Sequence, residues 1–99
     1  MDKKRKKLEN AVVLLKQVSH PVRLSILCNL IHQKEMNVTE IVASINGTAS
    51  QSQVSQFLAK MREDKLVSSR KEGLTVYYKI SSPEAQKLIQ ALYNIYCVE

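Results

Sequence analysis

Apolar residues recur at helical spacing in the first third of the chain, and they predict two amphipathic helices. The first stripe consists of Leu8, Ala11, Val12 and Leu15. The second stripe consists of Leu24, Leu27, Cys28 and Ile31. Pro21 is suited to the first turn of the second helix, with Ser19 or His20 as its cap. Five consecutive cations at residues 3–7 oppose the dipole of the first helix, so we expect its first turn to fray.

Two capping boxes predict two shorter helices in the middle of the chain. Asn37 with Glu40 opens a helix to about residue 45, and Ser50 with Gln53 opens another to about residue 64. A turn containing Gly47 separates them. The side chains expected to point inward from the later helix are Val54, Phe57, Leu58 and Met61. Two short helices joined by such a turn describe a helix-turn-helix.

The segments after this motif favour β structure and then a last helix. Residues 66–70 and 74–80 are rich in β-forming side chains, and residues 71–73 join them as a hairpin. Ser82 and Pro83 then open a helix that ends near Cys97. The order α-α-α-α-β-β-α predicts a mainly helical fold with a β-hairpin wing, a winged helix-turn-helix, as a single domain over residues 1–99.

Composition supports a globular domain and excludes several other classes. The 99 residues are 44% hydrophobic and 24% charged, as in ordinary globular domains. Two cysteines are too few for a disulfide framework. The longest apolar run, residues 11–15, is far short of the ~20 residues that a membrane span needs. It is also shorter than the apolar region of a signal peptide. We therefore expect a cytoplasmic protein with no membrane partner.

The charge of the chain suggests an anionic partner. The formal net charge is +6 and the pI is about 9.5. Residues 41–62 contain no acidic side chain, so the helix-turn-helix carries uncompensated positive charge. Nucleic acid is the first expectation and a membrane surface the second.

The second helix of the helix-turn-helix carries side chains suited to base edges and phosphates in duplex DNA. The candidates on it are Gln51, Ser52, Gln53, Ser55 and Gln56, with Lys60 and Arg62 further along. We expect Arg70 and Lys71 to lie at the hairpin tip and to contact the flanking DNA backbone. The alternative is a solvated surface helix, on which Ser and Gln are common. The basic run at residues 3–7 is either a solvated tail or a DNA-contacting arm.

Four segments resemble the bacterial ArsR/SmtB repressors. They are residues 20–27, 50–58, 70–73 and 76–78, and the resemblance extends over about residues 8–97. It implies a homodimeric winged-helix repressor, joined through its first and last helices, that leaves an inverted-repeat operator when it senses an inducer. The chain departs from the family in two places. Phe57 stands where members commonly have His, and the turn from Ile45 to Ser50 is longer than usual.

The two metal sites that the resemblance implies lack their ligands here. Asn37 and Thr39 stand where one site has paired cysteines, and residues 83–97 contain no histidine for the other. The remaining candidates, which show no ligand spacing, are His20, His32, Cys28 and Cys97. We expect no metal and no cofactor. A metal-responsive repressor with an atypical site stays open as an alternative.

The two cysteines have two interpretations. Cysteine is often buried, so Cys28 and Cys97 could be inert core thiols. Their positions, however, match those of the thiol-switch branch of the family, the BigR, SqrR and HlyU type. That resemblance implies an inducer that is a reactive sulfur species or an oxidant, acting at Cys28 and Cys97. His32, one turn after Cys28, would favour its thiolate if protonated.

No residue set suggests catalysis, so we do not expect an enzyme. The chain has no Gly-rich phosphate loop and no nucleophile with a placed base. A protein-interaction module built on a winged helix is one alternative to a sequence-specific regulator. A basic nucleoid protein that binds all duplexes alike is another.

Overall fold

The structure, a computed structural model, describes residues 2–97 of the chain. In chain order the elements are α1 (Asp2–Val18), α2 (Pro21–Gln33), β1 (Met36–Asn37), α3 (Val38–Ser44), α4 (Gln51–Glu63), β2 (Val67–Glu72), β3 (Thr75–Ile80) and α5 (Pro83–Tyr96). The three strands form one antiparallel sheet in the order β1-β3-β2. This arrangement confirms the predicted winged helix-turn-helix, mainly helical with a β wing.

The predicted caps start the helices. The His20 side chain accepts from the backbone N–H groups of the first turn of α2, at 3.1 Å from Val22 and 3.4 Å from Arg23. Complete capping boxes open α3 at Asn37 and α4 at Ser50. These bonds satisfy donors that the start of a helix leaves unpaired, and therefore fix where α3 and α4 begin.

The first helix differs from expectation at its start. α1 is helical from Asp2, so the predicted fraying of the first turn is wrong. Asp2 places a carboxylate in that turn, where negative charge is favourable. The cations at residues 3–7 are all exposed, so water and salt weaken their repulsion.

The wing has boundaries other than those predicted. Val67 pairs with Ile80 and Glu72 with Thr75, so residues 71 and 72 belong to β2 rather than to the turn. The loop consists of Gly73 and Leu74. Gly73 has a φ of 62°, and a two-residue hairpin loop takes glycine readily at its first position. The tip of the hairpin is therefore further along the chain than predicted.

The core lies between the helix-turn-helix, α2, the sheet and the first half of α5. Its most buried side chains are Ile26, Leu27, Leu30, Ile41, Val54, Leu58, Met61, Val67 and Ile89. Burying one such side chain contributes roughly 1.5–3 kcal/mol. α1 takes little part, since Leu14 and Gln17 are its buried residues. Most of its apolar stripe lies outside the core.

Within residues 2–97, no single helix has both the length and the apolar character to cross a membrane. α1 and α2 taken together meet the length and composition, but they are bent by 101° at the break between them.

Candidate nucleic-acid interface and cysteine pair

The first two turns of α4 present polar side chains to solvent. Gln51, Ser52, Ser55 and Gln56 are exposed, while Val54 on the opposite side is fully buried. The buried side fixes the rotation of α4, because helical residues three and four apart share a face. The exposed polar side is therefore available to a nucleic acid.

Three other predicted residues of α4 are already engaged within the chain. The Gln53 side-chain oxygen accepts from the Ser50 N–H at 2.9 Å as part of the capping box. The ammonium of Lys60 lies 3.6 Å from Asp64, an ion pair at the end of the helix. Arg62 donates to the hydroxyl of Ser69 in β2 at 3.0 Å, which ties the end of α4 to the wing.

Phe57, which replaces the usual histidine, contacts the start of α2. Its ring centroid lies 5.1 Å from that of His20, and the guanidinium of Arg23 stands 5.6 Å from the same centroid. Arg23 also donates to the backbone oxygen of Gln17 at 3.1 Å. Aromatic and cation–π contacts of this kind hold α4 against α2.

Arg70 forms ion pairs with two carboxylates. It donates two hydrogen bonds to Glu35, at 2.7 and 2.9 Å, and one to Glu72 at 2.7 Å. Its guanidinium also stacks over the ring of Tyr77 at 4.7 Å. The hydrogen bonds from Arg70 lower the pKa of the Glu35 carboxyl, and they raise the pKa of the guanidinium. Arg70 lies in the body of β2, not at the hairpin tip as predicted.

Lys71 points the other way. Successive residues of a strand face opposite sides, so Lys71 lies on the face of the sheet opposite to Arg70. It is exposed, and within residues 2–97 no ion pair involves it. Lys71 is therefore a wing cation already free to meet a phosphate.

The two cysteines are neighbours across α2 and α5. Cys28 is half-buried, and Cys97 is exposed as the residue that ends α5. Burial raises the pKa of the Cys28 thiol to about 11, and the charge and hydrogen bonding of Cys97 act in the same direction. Cys28 is therefore protonated at neutral pH. His32 is not among the causes of the Cys28 pKa, so the expectation that a protonated His32 would favour the thiolate stays a prediction.

His32 has another partner. Its Nδ1 lies 2.8 Å from the hydroxyl of Tyr93 in α5, and the two rings stack with centroids 5.6 Å apart. Tyr93 is not among the site residues predicted from the sequence. The available signal was its position four residues before Cys97, which mirrors the four residues from Cys28 to His32.

Apolar side chains remain uncovered on α1 and at the end of α5. The exposed fractions are 61% for Leu8, 49% for Val12, 53% for Leu15, 68% for Ile95 and 78% for Tyr96. Leu88 and Leu92, in contrast, pack partly against the core. In the described part of the chain, no group of three or more His, Cys, Asp or Glu side chains is placed to hold a metal.

Comparison with known proteins identifies the family. The model of the bacterial regulatory proteins of the arsR family matches residues 20–69, from the cap of α2 into β2. The chain belongs to the ArsR family. Its helix-turn-helix and wing are therefore those of a DNA-binding transcriptional regulator, not an enzyme.

Individual relatives cover most of the chain. The transcriptional activator HlyU of Vibrio cholerae is 45% identical over 88% of this chain and 78% of its own. The transcriptional repressor PagR of Bacillus anthracis is 40% identical, over 86% and 83%. Among solved structures, reduced HlyU from Vibrio cholerae has a TM-score of 0.87 at 41% identity, covering 99% and 100%. BigR from Xylella fastidiosa has a TM-score of 0.79 at 34% identity, covering 100% and 99%.

Proposed function

We propose that this regulator is a homodimer that binds an inverted-repeat operator and loses affinity when Cys28 and Cys97 become joined. The observation that carries the switch is the packing of α2 on α5, where the bonded residues His32 and Tyr93 lie one turn from Cys28 and from Cys97 respectively. The proposed compartment is the cytoplasm, where bacterial DNA lies. The similar structure of HlyU from Vibrio cholerae is named as the reduced form of that protein.

Operator recognition is assigned to the exposed polar side of α4. Glutamine can bond both edge atoms of adenine in the major groove, and Gln51 and Gln56 are exposed there. Ser52 and Ser55 lie beside them. Lys71 of the wing contacts a DNA phosphate. Arg70 does so when a phosphate displaces the carboxylates of Glu35 and Glu72 from its guanidinium. Gln53, Lys60 and Arg62 act mainly by holding α4 and the wing in place.

The dimer is assigned to the exposed apolar residues of α1 and α5. Monomers rarely leave such a face to water when it is large and continuous. Two copies related by a two-fold axis would cover it and hold both α4 helices at a fixed separation. An operator with two-fold symmetry fits such a dimer, with half-sites about one helical turn, ~34–36 Å, apart.

The proposed bridging chemistry begins at Cys97, because it is the exposed thiol. Its sulfur attacks the outer sulfur of an organic persulfide R–S–SH, which leaves Cys97 as a persulfide and releases R–SH. Cys28 then attacks the inner sulfur of that persulfide and expels the outer one as H₂S, which takes up the Cys28 proton. The two cysteines are oxidised to a disulfide and the donated sulfur is reduced.

A peroxide gives the same bridge with water as the product. Cys97 takes one oxygen to become a sulfenic acid and releases one water, and Cys28 displaces a second water.

The bridge would act on DNA binding through α2. This helix carries Cys28 near its end and His20 with Arg23 at its start, where they contact Phe57 of α4. A bond between α2 and α5 therefore links the proposed dimer helices to the orientation of α4. A loss of about 10- to 100-fold in affinity is enough for regulation.

The test is a selection of random duplexes against reduced protein, followed by binding titrations of the selected duplex. Reduced protein should recover an inverted repeat. After persulfide or peroxide treatment its affinity should fall about 10- to 100-fold, and intact mass should show an intramolecular bridge. Cys28→Ser and Cys97→Ser should bind the duplex but not respond to either reagent.

Three outcomes would contradict the proposal. No sequence preference would indicate a nucleoid protein or a protein-interaction module. Response to a metal ion rather than to persulfide or peroxide would indicate an atypical metal sensor. Serine variants that respond like the parent would show that the thiols are ordinary core residues.

A further inference from the structure

The seam between α2 and α5 carries two pairs of side chains. Cys97 is near enough to influence the Cys28 thiol, and one turn away His32 bonds Tyr93 at 2.8 Å. The step from Cys28 to His32 runs four residues forward along α2, whereas the step from Cys97 to Tyr93 runs four residues back along α5. The helices therefore run antiparallel here, and both pairs lie on the same line of contact.

The end of α5 has little else to hold it. Ala85 and Ile89 are fully buried, but both lie in the first half of the helix. Within residues 93–97, Tyr93 is the one side chain that is partly buried, and the other four are exposed. The last turn, which ends at Cys97, is therefore attached to α2 chiefly through Tyr93.

The contact between His32 and Tyr93 is specific in geometry. The hydroxyl of Tyr93 lies 2.8 Å from Nδ1 of His32, and the ring planes are inclined by 23°. Either tautomer of a neutral imidazole keeps the bond, because the hydroxyl can donate to Nδ1 or accept from it. The pair therefore works without charge, and its position relative to the thiols is set by two helices.

We propose that His32 and Tyr93 form a positioning pair that holds the Cys97 thiol against Cys28 and so accelerates closure of the bridge. The inference rests on the proposed thiol switch and names residues that control its second step. Closure is intramolecular, so its rate follows the fraction of time that the two sulfurs are in reach. The pair leaves the first step alone, because Cys97 is exposed whether or not it is held.

The loss of one hydrogen bond gives the expected size of the effect. The net contribution of such a bond corresponds to a factor of about 2 to 10 in an equilibrium. Tyr93→Phe removes the hydroxyl and keeps the stacked ring, so closure should slow about 2- to 10-fold. Gln86→Ala is the matched control, since it removes a polar side chain at an exposed position on the same helix, outside the proposed dimer face.

Oxidised glutathione separates the two steps. Cys97 attacks it to form a mixed disulfide and releases one glutathione, and Cys28 then displaces the second glutathione to close the bridge. Acid quenching and intact mass give the amount of each species with time. In the parent the mixed disulfide should be short-lived. In Tyr93→Phe it should accumulate, with its formation rate unchanged, and Gln86→Ala should match the parent.

A double-mutant cycle tests whether the pair acts as a unit. His32→Leu should slow closure by a similar factor, and His32→Leu with Tyr93→Phe should slow it no further. The positioning pair would be refuted if the two substitutions slowed closure additively, or if Tyr93→Phe closed the bridge at the parental rate. Either result would leave the proposed thiol switch intact. A parent protein that forms no bridge at all would overturn both proposals.

Discussion

Cys28 lies in an environment that suppresses its own reactivity and keeps it beside a more accessible thiol. Burial is the largest cause, and Cys97 adds to it. Thiolates are the reactive form of cysteine, so a protonated Cys28 does not compete for the incoming reagent. This asymmetry gives the two cysteines an order of reaction, with Cys97 first.

The raised pKa predicts how alkylation of Cys28 depends on pH. In the folded protein its pKa is about 11 against an ordinary 9.0, so at pH 8 the thiolate fraction is about 100-fold lower than in an unfolded chain. Labelling by iodoacetamide should be slow at pH 8 and should rise steeply toward pH 11. Peptide mass spectrometry of the folded and the urea-unfolded protein measures both curves.

The unfolded protein is the control, and it should titrate near the ordinary value. The raised pKa also means that the folded state holds the proton more tightly, so this group's contribution to stability is present below pH 9 and lost as pH rises through 11. Equal labelling of Cys28 in folded and unfolded protein at pH 8 would refute the buried, Cys97-coupled environment.

Gln56 allows a test of base recognition at a single residue. Gln56→Ala should relax sequence preference at one operator position by roughly 1–3 kcal/mol, because a good base contact has that value. Binding to unrelated duplexes should not change. Gln33→Ala, at an exposed position that ends α2, is the matched control. If both variants select the parental operator equally well, α4 does not make the base contacts.

At the scale of elements, the wing contains cations of two kinds. Arg70 is held by Glu35 and Glu72, whereas Lys71 is free on the other face. A phosphate that binds Arg70 has to compete with both carboxylates. The hydrogen bonds from Arg70 lower the Glu35 pKa, so mild acid does not release the guanidinium.

Two wing substitutions separate phosphate contact from structural support. Arg70→Ala should weaken binding to all duplexes and lower the salt slope by about one unit. Glu35→Gln should instead strengthen binding to all duplexes, because it removes a charge that competes with phosphate. Titrations over a salt series measure both. If Glu35→Gln weakens binding as much as Arg70→Ala, the ion pair serves to brace the wing and Arg70 contacts no phosphate.

Elements with local signals could be predicted from the sequence, and those that depend on tertiary pairing could not. The capping boxes at Asn37 and Ser50 set the starts of α3 and α4 within the chain itself. β1 has two residues and exists because it pairs with β3, so no local pattern marks it. The hairpin tip moved because cross-strand pairing extended β2 through polar residues 71 and 72.

The candidate site divides in the same way. The spacing of α4 predicted its polar and buried sides, because both follow from one helical period. Glu35 beside Arg70, Tyr93 beside His32 and His20 beside Phe57 are far away along the chain, and only the fold brings each pair together. Contacts of this kind leave no periodic trace in the sequence.

At the scale of the whole molecule, the uncovered residues of α1 and α5 are the basis of the proposed dimer. Leu8, Val12 and Leu15 repeat on one side of α1, and Ile95 with Tyr96 ends α5. These residues lie on the first and last helices, where the resemblance to the family implies the dimer contact. The proposed switch depends on that contact, since only a dimer fixes the distance between two α4 helices.

Leu15→Glu should therefore dissociate the dimer. Each dimer loses two leucines and gains like charges. Each leucine is 53% exposed before association, so its burial in the interface is worth about half of the roughly 1.5–3 kcal/mol of full burial, and the dissociation constant should rise at least about 10-fold. Sedimentation at micromolar concentration should change from a dimeric to a monomeric mass, and affinity for the inverted repeat should fall. Leu74→Glu is the matched control, because Leu74 is 97% exposed at the wing tip, outside α1 and α5. A monomeric parent, or a dimeric Leu15→Glu, would refute this interface, because a face that stays in water loses nothing when a carboxylate replaces a leucine.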